Sequence, residues 1–286
     1  MRAAKKLAVG LLATAALCVI VPVAASAKLP EWGRCEATAK GKYTDPGCTV
    51  KAAKRSGGYE WIPLEEGKVV KGRPLEAEGT IVFETSHGKK IECTGGMTEE
   101  SYVPILGKNA EHPTPLWEME GCEAEGQECA TPFAAPYEVN NAYQWGEIPN
   151  EEGAPAPGWT DRLGFISGKG GAEPIVGVAY TPNNEERLFQ PIICQAEIGT
   201  VWIGGERKSG NSFISTIEPV DQMSHRFTET FTESSPGVQS PERLEGHGHR
   251  QVLEAFLENH WEPVAIVATL TYPLIRGQSL EIKATP

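Results

Sequence analysis

Six of the seven cysteines in this 286-residue chain lie between residues 35 and 194, and this set constrains the fold more than any other feature. An even number of cysteines in an exported chain predicts a disulfide framework. Metal binding is the competing use, but no Cys-x-x-Cys motif occurs and no histidine lies within a few residues of a cysteine. We therefore expect three disulfides.

The spacing of the cysteines favours one of the fifteen pairings that six cysteines allow. Short separations around turn-forming residues favour two local bridges, and the remaining two cysteines then close a loop of about 100 residues. The expected pairs are Cys35 with Cys48, Cys122 with Cys129, and Cys93 with Cys194.

The N-terminus has the organisation of a secretory signal peptide. Basic residues precede an apolar stretch over 7–21, and Ala25-Ser26-Ala27 forms a small-x-small cleavage site. An uncleaved membrane anchor is the alternative, because the apolar stretch approaches the length of a membrane span. Pro22 and the cleavage site favour removal of residues 1–27, so that Cys18 is lost with the leader.

The charge balance limits the classes of partner. The chain has 38 acidic and 26 basic side chains, and loss of three basic residues with the leader changes its net charge from -12 to -15. Such a surface argues against nucleic acid as a partner, since binding a phosphate backbone requires a basic face. Only three acids are aspartate, so the spacing of loop-type calcium sites is missing too.

Apolar residues recur mostly with a period of two, which predicts strands. Segments 80–85 and 90–94 flank a short glycine-containing connection and predict a hairpin. The other candidate strands are 116–120, 162–166, 175–180, 192–197, 200–203, 213–217, 225–232, 264–272 and 280–284. We expect an all-β protein, an antiparallel β-sandwich or β-barrel stapled by disulfides, with at most one or two short helices.

Two segments have helical features, 183–189 and 251–260, although a strand is the alternative for the second. Segment 147–160 is rich in proline and glycine and resembles a linker. Because the expected long disulfide spans this segment, we interpret residues 28–286 as one extracellular domain with a surface loop. No later apolar stretch is long enough to cross a membrane, so we expect no stable membrane insertion after cleavage.

The mature N-terminus, Leu29-Pro30-Glu31-Trp32-Gly33-Arg34-Cys35, followed by Gly58-Tyr59-Glu60-Trp61, resembles a group of uncharacterised secreted actinobacterial proteins. The resemblance continues through Ile91-Glu92-Cys93-Thr94 and Gly121-Cys122-Glu123 to the closing Leu280-Glu281-Ile282. It implies export and a shared fold, and it transfers no catalytic residue.

Histidines suggest one metal site. On a strand, His247 and His249 would share a face, and with Glu245 and His260 they offer ligands for zinc or copper. The simpler interpretation is a solvated Gly-His loop without an ion, because flexible glycines do not fix ligand geometry. We therefore expect no cofactor.

Aromatic residues suggest a ligand surface. Tyr143, Trp145 and Trp159 lie around the proline-rich loop with several amide side chains, and flat rings flanked by amides can stack on sugars. The simpler interpretation is that these rings cover a core, since Tyr143 and Trp145 alternate as strand residues do.

Catalytic patterns are weak. No Gly-x-Ser-x-Gly motif occurs, and Ser86-His87-Gly88-Lys89 matches Ser-x-x-Lys only in a hairpin turn. Among so many glutamates, a pair such as Glu84 and Glu92 can face each other by chance, and its simplest role is solubility at an exposed face. We expect a non-catalytic extracellular or cell-surface protein that binds a glycan or a protein. The alternatives are a secreted glycan hydrolase with a glutamate pair and a structural envelope component.

Overall fold

A computed structural model describes residues 29–65, 69–71, 76–77, 79–98, 104–106, 113–114, 117–130, 159–166, 175–182, 190–194, 200–204, 213–245, 252–257, 260–274 and 277–284. The strands in these ranges are β1 (Glu31–Gly41), β2 (Gly57–Pro63), β3 (Val69–Lys71), β4 (Glu76–Ala77), β5 (Ile81–Thr85), β6 (Lys90–Thr98), β7 (Pro104–Leu106), β8 (Pro113–Thr114), β9 (Trp117–Ala124), β10 (Gln127–Ala130), β11 (Trp159–Phe165), β12 (Val176–Pro182), β13 (Gln190–Cys194), β14 (Thr200–Gly204), β15 (Phe213–Glu218), β16 (Arg226–Ser235), β17 (Val238–Ser240), β18 (Leu253–Leu257), β19 (His260–Pro273) and β20 (Glu281–Lys283). One short 3-10 turn, Ala53–Arg55, precedes β2.

The described strands form a large sheet, a three-stranded small sheet and a separate two-stranded sheet, and every pairing between them is antiparallel. The small sheet has the order β2-β1-β20, and β3 and β7 form the two-stranded sheet. The large sheet runs β18-β14-β13-β10-β9-β6-β4-β19-β16-β15-β12-β11-β8, with β17 on β16 and β5 between β19 and β6. The all-β, antiparallel, disulfide-bonded fold predicted from the sequence is confirmed, in the form of sandwich-like sheets.

The long strand β19 organises the large sheet. It pairs with β18 near its start, with β5 from Val264 to Val267, and with β16 and β4 near its end. Along the first part of β16, buried and partly exposed residues alternate, so one face of the strand packs into the core and the other contacts solvent. The Trp32 ring of the small sheet meets Phe227 of β16 edge-on, with the ring centroids 4.8 Å apart, which joins the two sheets in one core.

The predicted hairpin over 80–94 is confirmed, since β5 and β6 pair from Ile81 opposite Cys93 to Glu84 opposite Lys90. The helix considered for 251–260 is wrong and its strand alternative is right, because 253–257 form β18 between β14 and β19. Candidate helix 183–189 lies outside the described residues, as does most of the loop 147–160. None of the described helical residues forms a helix with the length and apolarity of a membrane span.

Two of the three expected disulfide pairings are wrong. Cys35 pairs with Cys48 as predicted, but the other bridges are Cys93–Cys122 and Cys129–Cys194. These last four cysteines lie directly opposite one another along β6, β9, β10 and β13. In such a row Cys93 and Cys194 are separated by three strand spacings, about 14 Å, so they cannot bond. The bridge across 147–160 is therefore Cys129–Cys194.

Candidate functional site

The structure places the sequence-predicted site residues unevenly. Tyr143, Trp145, His247 and His249 lie outside the described residues. Trp159 begins β11, where its backbone pairs with Pro182 and Thr114. Glu245 is exposed and its backbone N–H donates to the Phe165 carbonyl, and His260 begins β19. Two other groupings of side chains are better defined by the structure.

The first grouping covers the outer face of the small sheet. Trp32 and Ile282 lie opposite each other and are buried, so this side of β1 and β20 faces the core. Alternation along the strands then places Gly33, Glu281 and Lys283 on the opposite, outer side. Trp61 shares that side, because it lies opposite Cys35, two residues along from Gly33.

A glycine allows the Trp61 ring to lie against the sheet. A Cβ atom built on Gly33 would lie 2.2 Å from Cζ2 of Trp61, which is far inside van der Waals contact. The indole therefore crosses the middle strand where a side chain would otherwise stand. Tyr59 precedes Trp61 by two residues and lies on the same face, and both rings are partly exposed.

Lys283 fills the space between two of these rings. Its Nζ lies 4.8 Å from the ring centroid of Trp61 and 4.9 Å from that of Tyr43, and it donates to the Tyr43 hydroxyl at 3.2 Å. Such cation–π contacts hold an ammonium over an aromatic face. Burial raises the pKa of the neighbouring Glu281 carboxyl. The Lys283 ammonium, whose Nζ lies 3.7 Å from Oε2 of Glu281, opposes this rise.

Hydrogen bonds within the loop and one disulfide hold the loop that carries Tyr43. The Asp45 carboxylate accepts hydrogen bonds from the backbone N–H groups of Gly47, Thr49 and Val50. These bonds, that of Val50 above all, hold the pKa of Asp45 below its usual value. The Cys35–Cys48 disulfide fastens the same loop to β1. We call the surface formed by Tyr43, Tyr59, Trp61 and Lys283 the aromatic face.

The second grouping lies where the turn between β5 and β6 meets the start of β19. His87 follows β5, and His260 and Glu262 occupy the same face at the start of β19. The potential ligand atoms of these three side chains all lie within 4.8 Å of one another. His87 Nδ1 contacts Glu262 Oε2, and the Ser86 hydroxyl donates to the same oxygen at 3.1 Å. We call this grouping the histidine cluster.

Glu84 differs from the sequence expectation. It is only 6% exposed, so its interpretation as an exposed solubilising residue is wrong. Its carboxylate pairs with Lys90 at 2.7 Å and hydrogen-bonds the Glu233 carboxyl, whose pKa is raised by burial and by the nearby Glu84 charge. Carboxyls in hydrogen-bond contact are closer than the roughly 5 to 10 Å that a glycosidase pair requires.

Sequence reasoning missed most of these residues for different reasons. The motif Gly58-Tyr59-Glu60-Trp61 contributes to the sequence resemblance, and its alternating aromatics in a short strand also signal one aromatic face. His87 and Glu262 are 175 residues apart, and no local signal joins them. Comparison of the chain with models of protein families, with curated proteins and with solved structures found no match.

Proposed function

We propose that this protein is exported and acts outside the cell as a non-catalytic binding protein whose ligand is a glycan. Its three intramolecular disulfides fit an oxidising environment. The observation that carries the proposal is the aromatic face, where Tyr43, Tyr59 and Trp61 lie together, partly exposed, on one side of a three-stranded sheet.

The chemistry of this face suits a sugar ring better than a purely apolar ligand. Flat indole and phenol rings accept the C–H faces of a pyranose, and the tyrosine hydroxyls can add hydrogen bonds, whereas Nε1 of Trp61 is buried. The Lys283 ammonium lies over the Tyr43 and Trp61 rings and donates to the Tyr43 hydroxyl, so both polar groups lie among the rings, where they can bond sugar hydroxyls. A few fixed polar groups among aromatic rings are the usual composition of a small-molecule site.

The rigidity of the face also favours binding. Tyr43 is held by a loop with an internal carboxylate and a disulfide, and Trp61 lies against the Gly33 backbone. Side chains that are ordered before the ligand arrives lose little conformational entropy on binding. This arrangement is therefore suited to recognition without chemical change.

Binding of the mature protein to a glycan array tests the proposal. Trp61→Ala should abolish the signal, Trp61→Phe should retain part of it, and Gly33→Ala should weaken it by displacing the indole. Trp145→Ala and Trp159→Ala serve as controls from the other aromatic region. Loss of binding in those controls with full binding in Trp61→Ala would refute this site. Thermal melting of each variant separates loss of binding from loss of fold.

A further inference from the structure

We propose that the histidine cluster binds one Zn²⁺ ion through His87, His260 and Glu262, with a fourth position open to solvent. This site is separate from the aromatic face, and its test does not depend on glycan binding. Two imidazole nitrogens and one carboxylate oxygen form a donor set that suits zinc, whereas calcium and magnesium require oxygen ligands.

The fold brings these donors together through strand register. Val264 of β19 lies opposite Thr85 of β5, and the Ser86 N–H donates to the Pro263 carbonyl at 2.9 Å. Continuing this register by two residues places Glu262 opposite His87. His260 lies two residues further along β19, on the same face as Glu262. The backbone positions of both histidines therefore lie near Glu262, at one end of the large sheet.

The distances are close to those of a bound ion. Zinc bonds of about 2.0 to 2.2 Å in a tetrahedron place neighbouring donor atoms roughly 3.3 Å apart. The three donors now lie within 4.8 Å of one another, so the widest pair must close by about 1.5 Å. The His87 side chain is 69% exposed and can rotate to do so, while the Glu262 side chain, 3% exposed, serves as the fixed member.

The surroundings support ligation by Glu262. Ser86 Oγ donates to Glu262 Oε2, which orients the carboxylate as outer hydrogen bonds commonly do in zinc sites. The His87 and His260 rings are nearly perpendicular, at 82°, with centroids 6.1 Å apart, so their nitrogens can approach one point from two directions. Because both histidines are exposed, the fourth ligand is water or a donor from another molecule.

Titration calorimetry with zinc chloride on the chelator-treated mature protein tests the proposal. We expect one Zn²⁺ per chain, and affinity lowered by more than about 100-fold in His87→Ala, His260→Ala and Glu262→Gln. Ser86→Ala should weaken binding by about tenfold, and Ser86→Thr should restore it. The visible spectrum of bound Co²⁺ should show four-coordinate bands that His87→Ala removes.

Two controls make the result decisive. His225→Ala replaces an exposed histidine of another strand connection and should bind zinc as the wild type does. His247→Ala/His249→Ala removes the other pair of neighbouring histidines and should also retain binding. Absence of zinc binding at micromolar concentration would overturn the proposal. Loss of binding in the His247/His249 variant, or wild-type affinity in His87→Ala/His260→Ala, would do the same. Melting of each variant without metal monitors folding.

Discussion

Replacing Cys93 and Cys194 with alanine should produce a disulfide that the native protein lacks, between Cys122 and Cys129. These two residues lie directly opposite each other in β9 and β10. In the native protein Cys122 is bonded to Cys93 of β6, and Cys129 is bonded to Cys194 of β13. Without its outer partners, the inner pair is the nearest thiol pair. A cross-strand pair in this register has a Cα separation of about 5.5 Å, which a disulfide accepts.

The expected stability follows from loop lengths. The native bridges join cysteines 29 and 65 residues apart. The chain-entropy model assigns them about 3.6 and 4.4 kcal/mol, and it assigns about 2.5 kcal/mol to the eight-residue loop of the inner pair. Cys93→Ala/Cys194→Ala should therefore lose about 5.5 kcal/mol of unfolding free energy if the new bond forms, and about 8 kcal/mol if it does not.

Urea unfolding with a thiol assay and non-reducing peptide mapping measures both quantities. Cys93→Ala/Cys122→Ala is the matched control, since it removes one native bridge and should lose about 3.6 kcal/mol. The expected map of the test variant contains a Cys122–Cys129 peptide and no free thiol. Two free thiols in a folded test variant would refute the inference that the four cysteines form one row.

Three further predictions concern stability. Phe227→Ala, which removes a fully buried ring against Trp32, should cost about 3 to 5 kcal/mol in urea unfolding, and a loss below 1 kcal/mol would contradict the packing described. The pKa of Glu233 is raised above its usual 4.5, so the stability that Glu233 contributes to the folded protein falls as pH rises through the raised value. Glu233→Gln should therefore increase the unfolding free energy by about 0.5 to 1 kcal/mol at pH 7 and leave it unchanged at pH 4. The pKa of Asp45 is lowered from 3.8, so the stabilisation of its loop by the carboxylate is present above pH 3.8 and is lost as pH falls through the lowered pKa. Hydrogen exchange of the Val50 amide should therefore accelerate below that pKa in the wild type, and at pH 7 in Asp45→Ala.

The cysteine pairing shows what sequence patterns could establish and what they could not. Period-two patterns and turn residues predicted the strands and the hairpin over 80–94, because those signals are local. The pairing depended on a finer property of the β9–β10 hairpin. Glu125 and Gly126 both have positive φ, at 51° and 73°, as in a two-residue turn of type I′.

That turn sets which neighbours are closest. Antiparallel pairs alternate between hydrogen-bonded pairs and closer non-hydrogen-bonded pairs. Counted from this turn, Cys122 and Cys129 form a hydrogen-bonded pair. The closer, non-hydrogen-bonded partner of Cys122 is therefore Cys93 on β6, and that of Cys129 is Cys194 on β13. The observed Cα separations of 3.9 and 4.0 Å for the two native bridges agree with this alternation. Sequence spacing alone favoured the short loop and therefore gave the wrong pairs.

The aromatic face was partly within reach of sequence reasoning. Tyr59 and Trp61 alternate in a short strand, which predicts a shared face. Lys283 lies 240 residues from Tyr43, the residue to which it donates a hydrogen bond. The need for glycine at position 33 becomes visible only once the Trp61 ring is placed against it. Contacts of this kind depend on the pairing of β1 with β2 and β20, for which the chain carries no local signal.

The histidine cluster depends on register still more strictly, and the disulfides make that dependence testable. A one-residue slip of β5 against β19 would turn Glu262 to the opposite face from His87. β5 is paired on its other edge with β6, which the Cys93–Cys122 bridge fixes to β9. Cys93→Ala/Cys122→Ala should therefore weaken zinc binding by about 10-fold, as loss of ligand positioning does elsewhere. Cys35→Ala/Cys48→Ala, which loosens only the small sheet, should leave zinc affinity unchanged. Equal zinc affinity in both variants, with both folded, would show that β19 alone sets the geometry of the cluster.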